Sequence, residues 1–208
     1  RAVLVRTHPG TLALIYHGFA AQASIAGIKP RRSQAMPRLS IVEPKDAIGD
    51  AARVLAAAPI NIYKGLAAHP EVFAAFVAFS KALAHSHALT AAERELVALR
   101  TAEVRHCEYC VAAHTKISSG AGLDAARALA ARRGVASNPK EQALLDFTSA
   151  VLMKNGHVTD AELAAFRAAG YDDKAVIEVI GGITAMTFTN LYNHVHQTVL
   201  DFPPVPAV

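Results

Sequence analysis

Thiol, carboxyl and imidazole groups crowd into Cys107-Glu108-Tyr109-Cys110-Val111-Ala112-Ala113-His114, and those two cysteines are the only ones in the chain. In a helix advancing roughly 100° per residue, Cys107, Cys110 and His114 project at about 0°, 300° and 340°, on one face. A turn around His106 would put both cysteines in the first turn of that helix, where the positive end of the dipole stabilises a thiolate; Gly120 suits its end. A thiolate is the form of cysteine that attacks a peroxide oxygen, and the resulting sulfenic acid condenses with a neighbouring thiol to a disulfide. His114, one turn beyond Cys110, is placed to take the thiol proton or hand one to a leaving alkoxide, and Glu95 could orient or recharge it.

Other chemistries use the same residue types. Two thiolates and His114, with Glu95, His106 or His194 as a fourth ligand, could close a tetrahedral zinc site, although the second cysteine pair of structural zinc motifs is missing. Covalent haem attachment is disfavoured because Val111 stands where C-x-x-C-H needs a histidine, and a thioredoxin fold because no βαβ pattern surrounds the motif. Glu93 is better explained by helix capping than by chemistry, and His85 and His87 by partnering the negative end of a helix. His194 and His196 stay open.

The elements that must position this cluster read as helices. After residue 44 no window sustains the period-two alternation of a strand. Pro44 suits the first turn of a helix to about Ala58, and Pro70-Glu71 opens the apolar run through Phe79. Thr90-Ala91-Ala92-Glu93 has the form of a capping box, predicting a helix to about Arg105; Thr159-Asp160-Ala161-Glu162 repeats it. Asn138-Pro139 is a further start, and Gly134, Gly156 and Gly170 fall where helices should stop. The last helix, about Asp172 to Thr198, is apolar over more than one stripe, which predicts one face in the core and a second face that either meets a second subunit or is buried within the same chain.

The length of 208 residues suits one buried domain, expected over residues 36–208. The net charge of +4 belongs to residues 1–35, which hold five basic residues and no acid, leaving 16 basic against 17 acidic residues beyond them. That balance gives no electrostatic reason to expect nucleic acid. Residues 1–35 read as a leader or upstream segment outside the fold; Ala21-Gln22-Ala23 and Ser33-Gln34-Ala35 resemble cleavage sites, and Met36 resembles a start. Leu12 to Ile28, interrupted by His17, Gln22 and Ser24, is not expected to cross a membrane.

Glu95, eleven residues, then Cys107-x-x-Cys110-x-x-x-His114 resembles the motif of AhpD-like alkylhydroperoxidases within the carboxymuconolactone decarboxylase superfamily. Asn190-Leu191-Tyr192-Asn193-His194 and Leu200-Asp201-Phe202-Pro203 look like the C-terminal part of such proteins, so the resemblance spans roughly residues 38 to 205. It implies an all-helical, oligomerising fold in which Cys110 is the peroxidatic cysteine, Cys107 resolves it, and Glu95 with His114 relays protons. Some members carry a histidine immediately before the second cysteine; Tyr109 stands there in this chain, with His106 a possible substitute. The implied activity is reduction of organic hydroperoxides, with re-reduction by a cellular dithiol donor, no bound cofactor or metal, and a cytoplasmic location. The alternatives are a lyase like the lactone decarboxylases of that superfamily, or a non-catalytic oligomeric module stabilised by zinc.

Overall fold

Capping residues dictate where most of the helices begin. The computed structural model describes residues 37–208 and two strand segments nearer the N-terminus. A single 3-10 turn at Pro44–Asp46 precedes α1 (Gly49–Ala57), α2 (Asn61–Leu66), α3 (Pro70–Ala84), α4 (Ala91–Val104), α5 (Glu108–Gly120), α6 (Ala125–Arg132), α7 (Pro139–Met153), α8 (Asp160–Ala168) and α9 (Asp173–His196). Reciprocal capping boxes open α4 at Thr90/Glu93 and α8 at Thr159/Glu162. Proline fills the first position of α3 and α7, where its missing N–H costs nothing, and Asn138 caps α7. The expected stops at Gly134, Gly156 and Gly170 follow α6, α7 and α8.

One expected helix is broken. Pro44 does not open a helix running to Ala58: the 3-10 turn ends at Asp46, Ala47 and Ile48 are extended, and the chain restarts at Gly49. The φ of +57° at Gly49 is open to glycine without steric cost, so this residue turns the chain into α1.

The chain divides into Arg1–Arg32 and Ser33–Val208. In the first unit, β1 (Val3–Arg6) pairs antiparallel with β2 (Leu12–Ile15), Val3 opposite Ile15 and Arg6 opposite Leu12. The remainder of the apolar stretch to Ile28, and the steps Ala21-Gln22-Ala23 and Ser33-Gln34-Ala35, lie outside the described residues. In the second unit the described residues form helices and no strand, so this body is all-α.

Helix α4 sits at the middle of that body, packed against α5, α6, α7 and α9. Its Leu96 and Leu99 enter one apolar cluster with Leu144, Leu145 and Phe166, where Phe166 stacks between Phe147 and Tyr171 at centroid distances of 4.3 and 4.5 Å. Each such fully buried side chain contributes about 1.5–3 kcal/mol. On another face, Ala98 and Ala102 meet a second cluster that holds Leu55, Phe73, Cys107, Cys110 and Met186. Two alanines one turn apart keep that face low, which lets α5 lie close against α4.

Among the described residues, α9 is long and apolar enough to cross a bilayer by length and composition, at a mean hydropathy of 1.3. In this fold it packs on α3, α4, α5 and α7, and its buried Glu178 accepts from Ser86 Oγ at 2.6 Å and the Leu89 N–H at 3.1 Å, with Arg94 beside it at 3.2 Å. α2 crosses α9 at Gly65, where the Tyr192 hydroxyl fills the space a Cβ would take. The Tyr192 ring stacks on that of His196 at 5.1 Å, and His196 Nδ1 accepts from the Leu39 N–H at 3.3 Å.

Candidate active site

The turn between α4 and α5 sets the cysteines in place. His106 adopts a left-handed φ of 54°, its N–H bonds Glu103 O and that of Cys107 bonds Ala102 O, both at 2.9 Å. Cys107 is the residue before α5 and Cys110 lies in its first turn. That is the arrangement the spacing predicts: the cysteines face the free N–H groups and positive end of a helix. On α4, Glu95, Ala98 and Ala102 repeat the spacing of Cys107, Cys110 and His114 on α5, so the carboxylate-bearing face of one helix lies along the sulfur-bearing face of the other. The His114 Nδ1 lies 2.8 Å from Glu95 Oε2.

Both thiols are free and buried, Cys107 at 2% exposure and Cys110 at 4%. They differ in access. Cys110 lines a cavity of about 310 Å³ together with Glu95 and His114, and Cys107 does not. The cavity wall is mostly hydrocarbon and aromatic ring, including Ile60, Phe76, Leu83, Met186 and Phe202.

From α9, Asn193 Nδ2 donates to Cys110 Sγ at 3.2 Å and lies 3.8 Å from Cys107 Sγ, while Thr189 Oγ1 lies 3.8 Å from Cys110 Sγ. Asn190, wholly buried on the same helix, finds no protein partner for either amide atom. These polar residues were not singled out as site residues from sequence. Thr189 and Asn193, one turn apart on a largely apolar helix, are the signal the sequence offers for them.

The electrostatics separate the two sulfurs. The hydrogen bond from the Cys107 thiol lowers the pKa of Cys110; burial opposes this, and the charge of His114 and the Thr189 contact add to the lowering. Cys107 moves up, because its own proton is engaged with Cys110 and because it is buried. Burial works against a charged His114, but the hydrogen bond and charge of Glu95, with the charge of Cys110, outweigh it and raise the imidazole pKa. The arrangement therefore favours a thiolate at Cys110 and an imidazolium at His114, held by a carboxylate.

The three secondary candidates sit differently. Tyr109 is buried and borders the cavity, but its hydroxyl donates to Asp201 Oδ2 at 2.5 Å and its ring packs edge-on to Phe202, so its proton is spent away from the sulfurs. Burial and that carboxylate both push the phenol pKa up. His106 is exposed at the turn. His194 is exposed too, its Nε2 3.0 Å from Arg105 O, where it serves the carbonyl end of α4. Neither histidine is brought to the cavity wall. His85 likewise meets Lys81 O at the end of α3 at 2.7 Å, the helix-end role expected of it.

A zinc site on this pair would draw its further ligands from His114, Glu95, His106 or His194. The first two are engaged with each other, His106 is exposed and His194 bonds Arg105 O; among the described residues no group of three or more His, Cys, Asp or Glu is disposed to hold a metal ion.

Residues 70–138 match the model of the carboxymuconolactone decarboxylase family, a stretch that includes Glu95, Cys107, Cys110 and His114 and stops before α9. No curated protein matches the chain by sequence. Among solved structures, the chain is similar to an uncharacterised peroxidase-related protein of Ralstonia eutropha JMP134 described as an alkylhydroperoxidase AhpD core, at 24% identity and a TM-score of 0.71, covering 83% of this chain and 94% of that one. An uncharacterised peroxidase-related protein of Silicibacter sp. TM1040 follows at 18% identity and a TM-score of 0.68, with 79% and 94% covered. A debrominase solved with 2,3,4-tribromopyrrole is similar at 18% identity and a TM-score of 0.60, with 68% and 76% covered. At such identities the likeness is one of fold, and the fold is the AhpD-like helical one.

Proposed function

We propose that the chain, whose fold is AhpD-like and whose residues 70–138 match the carboxymuconolactone decarboxylase family, is a member of that family and a thiol-dependent peroxidase acting on organic hydroperoxides. One observation carries the reading: a thiol biased toward its thiolate shares the wall of an apolar cavity with a histidine paired to a carboxylate. The Cys110 thiolate attacks the terminal peroxide oxygen, the O–O bond breaks, and the departing alkoxide takes a proton from the His114 imidazolium, which Glu95 holds in place. The Cys107 sulfur then displaces hydroxide from the sulfenic acid at Cys110, giving water once protonated and a disulfide, and an external dithiol restores the pair. The hydrocarbon wall suits the organic part of the substrate.

The test is a thiol titration of the reduced protein before and after one equivalent of cumene hydroperoxide, with Cys107→Ser and Cys110→Ser alongside. Two thiols should disappear per peroxide consumed, Cys110→Ser should consume none, and Cys107→Ser should stop at a sulfenic acid. Persistence of both thiols under excess hydroperoxide would sink the reading. The likeness in fold to a debrominase and the apolar cavity beside the thiol favour a second reading, removal of halogen from an aromatic ring with electrons from the same pair. Loss of both thiols to a bromopyrrole, but not to hydroperoxide, would select it.

The proposal includes self-association through α9, supported by the exposed Ile177, Ile180, Leu191 and Val195 on that helix.

A further inference from the structure

Asn193 brings a side-chain amide to within 3.2 Å of the reacting sulfur, and the dithiol mechanism assigns it no part. Its orientation is imposed from outside the pair. At the end of α9, Gln197 takes a left-handed conformation with φ 56°, which brings the next residue back over the last turn. There the Thr198 hydroxyl donates to Asn193 Oδ1 at 2.6 Å. A carboxamide has one accepting end and one donating end, so a hydroxyl that occupies the oxygen commits the nitrogen to the sulfurs. That nitrogen stands 3.2 Å from Cys110 Sγ and 3.8 Å from Cys107 Sγ.

The neighbouring hydroxyl is the weaker donor. Thr189 has a single proton, and its oxygen lies 2.9 Å from Met186 O but 3.8 Å from Cys110 Sγ, so its contact with the sulfur is the longer one. Asn193 therefore brings to Cys110 an N–H that nothing else claims. A neutral thiol gains little from such a donor, whereas a buried thiolate needs it, because a charge removed from water is costly until it is hydrogen-bonded.

We propose that Asn193, oriented by Thr198, selects which of the two cysteines is the thiolate, by donating its amide N–H to Cys110 Sγ and holding it less closely to Cys107. Asn193 touches the reacting atom; Thr198 is a positioning residue that acts through it. The inference rests on the reading that Cys110 attacks the substrate, but the property it describes belongs to the resting, reduced protein and is measurable without any peroxide.

The experiment is alkylation of the full, reduced chain by iodoacetamide across a pH series, with each cysteine quantified separately by mass spectrometry, in the wild type, Asn193→Leu and Thr198→Val. Cys110 should be modified before Cys107 in the wild type, with a midpoint below that of an ordinary thiol. The Cys110 midpoint should rise by about one pKa unit in Asn193→Leu and by a smaller step in Thr198→Val. A role confined to packing would lower the melting temperature and leave the midpoint where it was. An unmoved Cys110 midpoint in the variants, or earlier modification of Cys107 in the wild type, overturns the proposal. Should Asn193→Leu fail to fold, Thr198→Val, whose side chain is partly exposed, decides alone. A shifted midpoint in a protein that consumes no hydroperoxide would leave this inference standing and remove the peroxidase reading. Intact turnover with an unmoved midpoint would do the reverse.

Discussion

Around Phe166 the helical body buries two carboxylates and surrounds both with donors, whereas on the α9 side of Cys110 the Asn190 amide, the Tyr192 hydroxyl and one nitrogen of His196 are without a protein partner. Glu93 accepts from the Thr90 N–H and from the Tyr171 hydroxyl, at 2.8 and 2.7 Å, and Glu178 takes the bonds from Ser86 and Leu89. In the second region, both amide atoms of Asn190, the Tyr192 hydroxyl and His196 Nε2 find no protein partner. Each such buried group costs about 1–3 kcal/mol when left unmatched. The first region is the better satisfied of the two, and the second, with its cavity and paired sulfurs, is the one to which the proposed function assigns the chemistry.

Substitutions should separate the two. The largest effect is expected from His114→Ala, which removes the proton donor: hydroperoxide turnover should fall by about 10²–10⁴-fold while the thermal midpoint moves little, as steady-state kinetics and a melting curve would report. An equal loss of stability would erase the distinction between the regions. Next comes Phe166→Ala, expected to cost about 3–5 kcal/mol in denaturant unfolding, because the ring is sandwiched in the first core, and to leave the pH profile of Cys110 alkylation unchanged. A displaced profile would show that the cores are coupled. The smallest effect is expected from Tyr109→Phe. Its hydroxyl serves Asp201, so about 1 kcal/mol of stability should go and turnover should hardly change. A drop of roughly tenfold, worth about 1.4 kcal/mol in the barrier, would move that phenol from the scaffold to the chemistry.

What the sequence disclosed and what it withheld differ by distance along the chain. The capping boxes at Thr90 and Thr159 and the prolines at the starts of α3 and α7 act within one helical turn, so their meaning was present in a few adjacent letters. The shared face of Cys107, Cys110 and His114 was legible for the same reason, and the resemblance reinforced Glu95 as the partner of His114. The break at Gly49 was not, because proline at position 44 permits a helix without requiring one and the turn depends on a single positive φ. Asn193 lies 83 residues from Cys110, and Asp201 lies 92 from Tyr109; such pairings exist only once α9 and the segment after it have docked. That the Tyr109 hydroxyl would meet Asp201 follows from tertiary packing alone.

Gly65 gives the meeting of α2 and α9 a consequence for heredity. Glycine and alanine codons differ by a single base, so alanine is among the commonest changes that drift offers at such a position. Here the added methyl would fall on the Tyr192 hydroxyl, press its ring against His196, and through that imidazole disturb the segment held at Leu39. Alanine at this position therefore requires Tyr192 to swing aside or to give way to a shorter side chain, so the two positions are coupled in descent.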